Sequence, residues 1–161
     1  ANGACEVVVF TQDPQASLGS LSLDHLELLL QVWGDRTRIL GSVPQIQYVL
    51  PFENKGVEVG VTLHHPHGQI YAYPFIPAVP ARMLELQQQF YQEQGRGLLE
   101  DLIQKEIADQ QRIIYQDQYT IAFIPVCARY PYEVWLAPIQ AVSSFNELSL
   151  EQRQSLAKAL K

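Results

Sequence analysis

Three of the four histidines, His64, His65 and His67, stand within four residues of one another, and Gln69 follows two positions after the last. Imidazole has the unperturbed side-chain pKa nearest neutrality, about 6.5, and its neutral form is both a base and a nucleophile. A histidine that attacks phosphorus gives a phosphoramidate-type intermediate, labile enough to pass its group to a second acceptor. Such a two-step transfer has three requirements. The attacking nitrogen must be unprotonated and aimed. The opposite ring nitrogen should donate to a fixed acceptor, and the phosphoryl oxygens need donors where charge develops. His67, between Pro66 and Gly68, is the candidate nucleophile. Proline stiffens the backbone there, and glycine is expected to admit a ligand closely. Gln69 can donate its amide to a phosphoryl oxygen, with Asn54 and Thr62 as further neutral donors and Lys55 as the only nearby cation. A metal site is the competing reading. His65 and His67 at alternate positions could chelate zinc, but the chain offers no obvious third and fourth ligands.

The elements around this stretch must bring those groups together. Residues 46–51 alternate like a strand, and 52–56 form a polar turn ending in glycine. Residues 57–63 alternate again, with Glu58, Gly60 and Thr62 on one face, so a strand is expected there. Continued in extended form, it would set His65, His67 and Gln69 side by side on one face. Residues 70–75 read as its far end or as the next strand, in an antiparallel pair whose polar face meets a ligand.

Elsewhere, 5–10 reads as a short buried strand. Ser22 is the N-cap of a helix that carries Leu26, Leu29, Leu30 and Trp33 at helical spacing and ends at Gly41. His25 falls on this helix as a solvated or partly packed residue. Pro80 fits the first turn of a helix over about 81–94, Gly95 and Gly97 break it, and 98–108 form another helix whose charges face solvent. Strands are expected at 113–115, 119–125 and 132–138, and Ser149 with Gln152 forms a capping box for a last helix.

The composition, with 161 residues, 47% hydrophobic and 17% charged, suits one domain with a substantial core. A net charge of −6 argues against nucleic acid as a partner. No apolar run approaches the roughly 20 residues needed to cross a bilayer. No signal-peptide pattern opens the chain, and Cys5 and Cys127, outside any metal or redox pattern, are expected as buried thiols in a reducing, cytoplasmic setting.

The chain also repeats itself. Glu6-Val-Val-Val9 aligns with Glu133-Val-Trp-Leu136, and without a gap Leu21-Ser-Leu-Asp24 aligns with Leu148-Ser-Leu-Glu151. Both copies read strand, polar loop, Leu-Ser-Leu-acid, helix, which favours duplication. The strands at 113–125 have no counterpart before the first copy, and the counterpart of the histidine stretch would lie past Lys161. A fragment is therefore expected, running from the middle of one half to the middle of the next.

Phe52-Glu-Asn-Lys-Gly56, Gly60 and His65-Pro-His-Gly-Gln-Ile70 together resemble the active-site signature of the galactose-1-phosphate uridylyltransferase family. That family is a branch of the histidine triad superfamily in which the third histidine is Gln. The resemblance implies an α+β fold, an antiparallel histidine-triad-like (HIT-like) sheet with flanking helices, in a duplicated architecture. One half would occupy residues 1–110 and the start of a second 111–161. It implies ping-pong transfer of uridylyl from UDP-glucose to galactose 1-phosphate through His67, with Gln69 holding the phosphoryl group and His65 supporting the site. Phe52, Asn54, Gly60, Val61 and Thr62 would bind the nucleotide. A homodimer is implied. His65 is a zinc ligand in some members, but Pro14 and Met83 stand where members have metal-binding residues, so no complete metal site is expected in this chain. A phosphorylase of the same superfamily, or a nucleotide-binding module without catalysis, are the other readings.

Overall fold

The computed structural model describes residues 2–161. Ala1, where the first half was expected to begin, lies outside the described residues. The chain forms two compact units. The first holds the chain up to Pro77 together with Ser144–Glu147 and Lys161, and the second holds Ala78–Ser143 and Leu148–Leu160.

The first unit is a three-stranded antiparallel sheet backed by a helix. Strand β1 (Ala4–Val9) and strand β2 (Tyr48–Phe52) flank β3 (His67–Tyr73). Helix α1 (Leu23–Gly41) begins where its cap predicts, with the Ser22 hydroxyl accepting from the His25 N–H at 3.2 Å. It covers one face of the sheet. There Leu40, Ile70 and Ala72 are buried against Val8, Trp33, Ile46 and Val49, and Arg36 pairs with Glu6 across the β1–α1 contact. Alternation along β3 therefore buries Gly68, Ile70 and Ala72 and leaves His67, Gln69, Tyr71 and Tyr73 half-buried on the other face.

The second unit contains α2 (Ala78–Gln94), α3 (Leu98–Asp109) and a sheet of β4 (Ile113–Gln116), β5 (Thr120–Phe123) and β6 (Trp135–Pro138), with α4 (Leu150–Leu160). Its core joins Ile103, Ile121, Phe123 and Ala137. The Ser149–Gln152 capping box forms in both directions, at 2.9 and 3.2 Å.

The repeat is visible in the backbone. Short 3-10 turns at Leu18–Ser20 and Phe145–Glu147, then helices starting at Leu23 and Leu150, recur at the same spacing.

Four expectations are corrected. Residues 57–63 are not a strand. A 3-10 turn at Val57–Val59 is closed by Gly60 in the left-handed region, φ 81, with the N–H groups of Gly60 and Val61 bonded back to Val57 and Gly56. Left-handed backbone, open to glycine, overrides alternation here. Strand β1 is not buried, because it is an edge strand whose Val7 and Val9 are exposed. Both thiols are exposed too, Cys5 on that edge and Cys127 outside any regular element. Finally, α3 does not turn all its charges to solvent. Asp101 and Glu106 are buried, Asp101 with Arg96 and Lys105 and Glu106 with Arg112.

Candidate functional site

The open face of the first sheet and the loops at one end of it make the site. In the antiparallel register Val9 stands opposite His67, and both Val7 and Phe52 stand opposite Gln69. Residues directly opposite one another share a face, so His67 and Gln69 lie on a shelf with Val7, Val9 and Phe52. The Phe52 ring meets Tyr71 edge-on at 4.9 Å. A cleft of about 340 Å³ adjoins the shelf, walled by the loop at 14–17, the segment 53–56 and the segment 61–67.

His67 is held in one tautomer. Its Nδ1 lies 2.7 Å from the backbone carbonyl of His65. A carbonyl oxygen only accepts, so Nδ1 carries the proton and donates it, and in the neutral ring Nε2 keeps its lone pair. This is the fixed acceptor that a histidine nucleophile needs, since the positive charge formed on attack is shared with that bond. Position 65 is anchored in turn, because His65 Nε2–H donates to the Thr11 carbonyl at 2.5 Å.

Gln69 is oriented by a residue not singled out from the sequence. The Tyr71 hydroxyl donates to Gln69 Oε1 at 2.9 Å, which leaves the amide N–H₂ of Gln69 as a donor toward the site. The signal was available, since Tyr71 is two residues along the same strand. Glu53 also escaped notice. It lines the cleft, and burial pushes its carboxyl above the usual range, against the opposing influence of Lys55 and His67.

The structure brings Asn54, Val61, His65 and His67 together on the cleft wall. Phe52 and Gln69 belong to the strand shelf. Thr62 is exposed and Gly60 caps the turn, and neither lines the cleft. His65 precedes β3 rather than continuing it, so it meets the others through its backbone. Gly68 serves packing instead of ligand approach. A Cβ there would lie 2.8 Å from the Phe10 ring and 2.9 Å from the Phe52 carbonyl oxygen.

The donors present do not fit a metal. Among the described residues no group of three or more His, Cys, Asp or Glu could hold an ion, and His65 Nε2 is already engaged by Thr11. No helix of the described residues is long and apolar enough to cross a membrane.

Comparison with known proteins gives a consistent picture. Residues 1–77 match the family model for the galactose-1-phosphate uridyl transferase N-terminal domain, and 83–161 match the model for its C-terminal domain. A galactose-1-phosphate uridylyltransferase from Thermotoga maritima is 38% identical over 161 residues, covering 100% of this chain and 50% of that protein. One from Streptomyces lividans is 40% identical over 157 residues, covering 98% and 44%. The solved structure of a uridylyltransferase mutant superimposes with a TM-score of 0.93 at 32% identity, over 98% of this chain and 50% of that one. The chain thus spans about half the length of the curated relatives it matches.

Proposed function

The chain belongs to the galactose-1-phosphate uridyl transferase family, and on that premise we propose that it transfers uridylyl from UDP-glucose to galactose 1-phosphate. The observation that carries the mechanism is the His67 Nδ1–H bond to the His65 carbonyl. With that proton committed, the Nε2 lone pair attacks the α-phosphorus of UDP-glucose. The P–O bond to glucose 1-phosphate breaks and its electron pair leaves on that oxygen. A phosphate oxygen of galactose 1-phosphate then attacks the same phosphorus, and the N–P pair returns to Nε2.

Gln69, turned by Tyr71, donates its amide to a phosphoryl oxygen. An amide binds the group without serving as acid or base for water, which favours transfer over hydrolysis. The shelf of Val7, Val9 and Phe52 offers apolar surface to the nucleotide, with Asn54 and Val61 on the cleft wall along its phosphates and Gly60 and Thr62 just outside that wall. His65 supports the site, and a zinc ion there in the intact protein would need donors besides this histidine. A homodimer in the cytoplasm, with a first half over 1–110 and a second from 111, is part of the same proposal. The β4–β5 hairpin ahead of the second repeat copy supports a half beginning there.

The test is incubation with UDP-glucose and mass spectrometry of the His67 peptide. A uridylyl adduct is expected, and His67→Gly should lower transfer by about 10⁴-fold or more. Wild-type rates in that variant, or no adduct on a folded protein that binds UDP-glucose, would sink the covalent route. Transfer to inorganic phosphate instead of galactose 1-phosphate would identify a phosphorylase.

A further inference from the structure

We propose that Lys55 meets the phosphate that departs when His67 attacks, and is a further catalytic residue of the transfer. The proposal rests on the uridylyl-transfer reading above. The chain has eleven Lys and Arg residues, and at least seven of them form ion pairs with carboxylates among the described residues. Lys55 has none, and no hydrogen bond either, among the described residues, although Asp and Glu outnumber Lys and Arg by 17 to 11. In a chain so rich in carboxylates, a cation left unpaired on a cleft wall is open to an anionic ligand.

Its position is beside the reacting end of the site. Phe52 pairs with Gln69 at the end of β2, and the chain then runs through Glu53 and Asn54 to Lys55 along the cleft wall. Strand β3 begins at His67, so Lys55 stands toward the nucleophile end of the site and past the Gln69 end. Lys55 and His67 both act on the Glu53 carboxyl, which places all three groups in one neighbourhood.

The charge balance supplies the role. When the Nε2–P bond forms, the α-phosphoryl keeps its charge while the departing hexose 1-phosphate gains one. The breaking P–O bond leaves its electron pair on the departing oxygen. No proton moves and no further reactant is needed, so the new negative charge falls to fixed donors, cations or water at the departing oxygen. Gln69, Asn54 and Thr62 are neutral, and among the described residues Lys55 is the one Lys or Arg on the cleft wall.

The experiment compares single-turnover labelling of His67 in the wild type, K55M and K55R. Two donors are used: UDP-glucose, and the 4-nitrophenyl ester of UMP, whose leaving group carries no phosphate. K55M should slow labelling from UDP-glucose by about 100-fold and from the aryl ester by no more than about threefold, with K55R recovering most of the loss. Matching thermal melting curves confirm that the exposed substitution leaves the fold intact. An equal loss on both donors, or an unchanged rate with UDP-glucose, overturns the assignment to Lys55 alone. A wild-type protein labelled by neither donor overturns the transfer reading, and this assignment with it.

Discussion

The two copies of the repeat share their local grammar but not their neighbours. In both, a serine accepts the first bond of a 3-10 turn, Ser17 from Ser20 and Ser144 from Glu147. A buried leucine follows, Leu21 and Leu148, then a serine that caps a helix, Ser22 and Ser149. The third helical residue reaches back to a loop carbonyl in each, His25 to Phe10 and Gln152 to Gln140. The strands diverge. In the first copy β1 pairs with β3, one face of which is half-open and carries His67, Gln69 and Tyr71. In the second β6 pairs with β5, which is buried along its whole length. Identical local structure therefore does not make a site. A sheet does so where one face of its central strand is left without a packing partner and bears groups that can react.

The sharpest way to break this contrast is to disturb β3 from its buried side. Gly68→Ala would push a methyl against the Phe10 ring and the Phe52 carbonyl. The expected cost is about 2–4 kcal/mol, read as a fall in unfolding midpoint in denaturant. An unchanged midpoint would mean that β3 has slack and that its open face is not fixed by packing.

The open face itself is tested by Tyr71→Phe. Losing one hydrogen bond to Gln69 should lower kcat about tenfold with little change in KM, and no change in either would show that Gln69 is oriented by something else.

The two caps test whether the copies are equal where they look equal. Ser22→Ala and Ser149→Ala should each cost about 1 kcal/mol, Ser149→Ala slightly more because its box is reciprocal. Thermal melting of the pair checks this, and a difference well above the cap energy itself would end the claim of equivalence.

The remaining contrast lies in pH dependence, at the turn beside β5. Burial alone would raise Asp117, but the Ser155 hydroxyl, the Tyr119 N–H, the Tyr115 hydroxyl and the Thr120 N–H bring it down to about 2. A depressed folded-state pKa gives stability that is complete above the unfolded value, about 3.9, and is lost as pH falls from there toward the folded value. Asp117→Asn should therefore flatten the dependence of melting temperature on pH in that acid window and leave no difference in slope near neutrality. An unaltered acid slope would show that Asp117 does not link folding to protons.

By itself the sequence determined what local spacing encodes. The helix at Leu23–Gly41, the caps at Ser22 and Ser149 and the β4–β5 hairpin were legible because each depends on residues within a few positions of one another. The pairing of a nucleophilic histidine with an amide two residues on was legible for the same reason. Alternation at 57–63 misled, because period two signals a strand only where the backbone stays extended, and Gly60 does not. Tertiary structure decided the rest. The tautomer of His67 depends on where the His65 carbonyl points, and His65 is anchored by Thr11, 54 residues away in sequence. The exposure of Cys5, Val7 and Val9 depends on β1 being an edge. The wall at 14–17 meets the histidine stretch only after β1 has paired with β3. Spacing assigns a side chain to a face, but which groups that face meets is fixed by partners distant in sequence, brought into range only by packing.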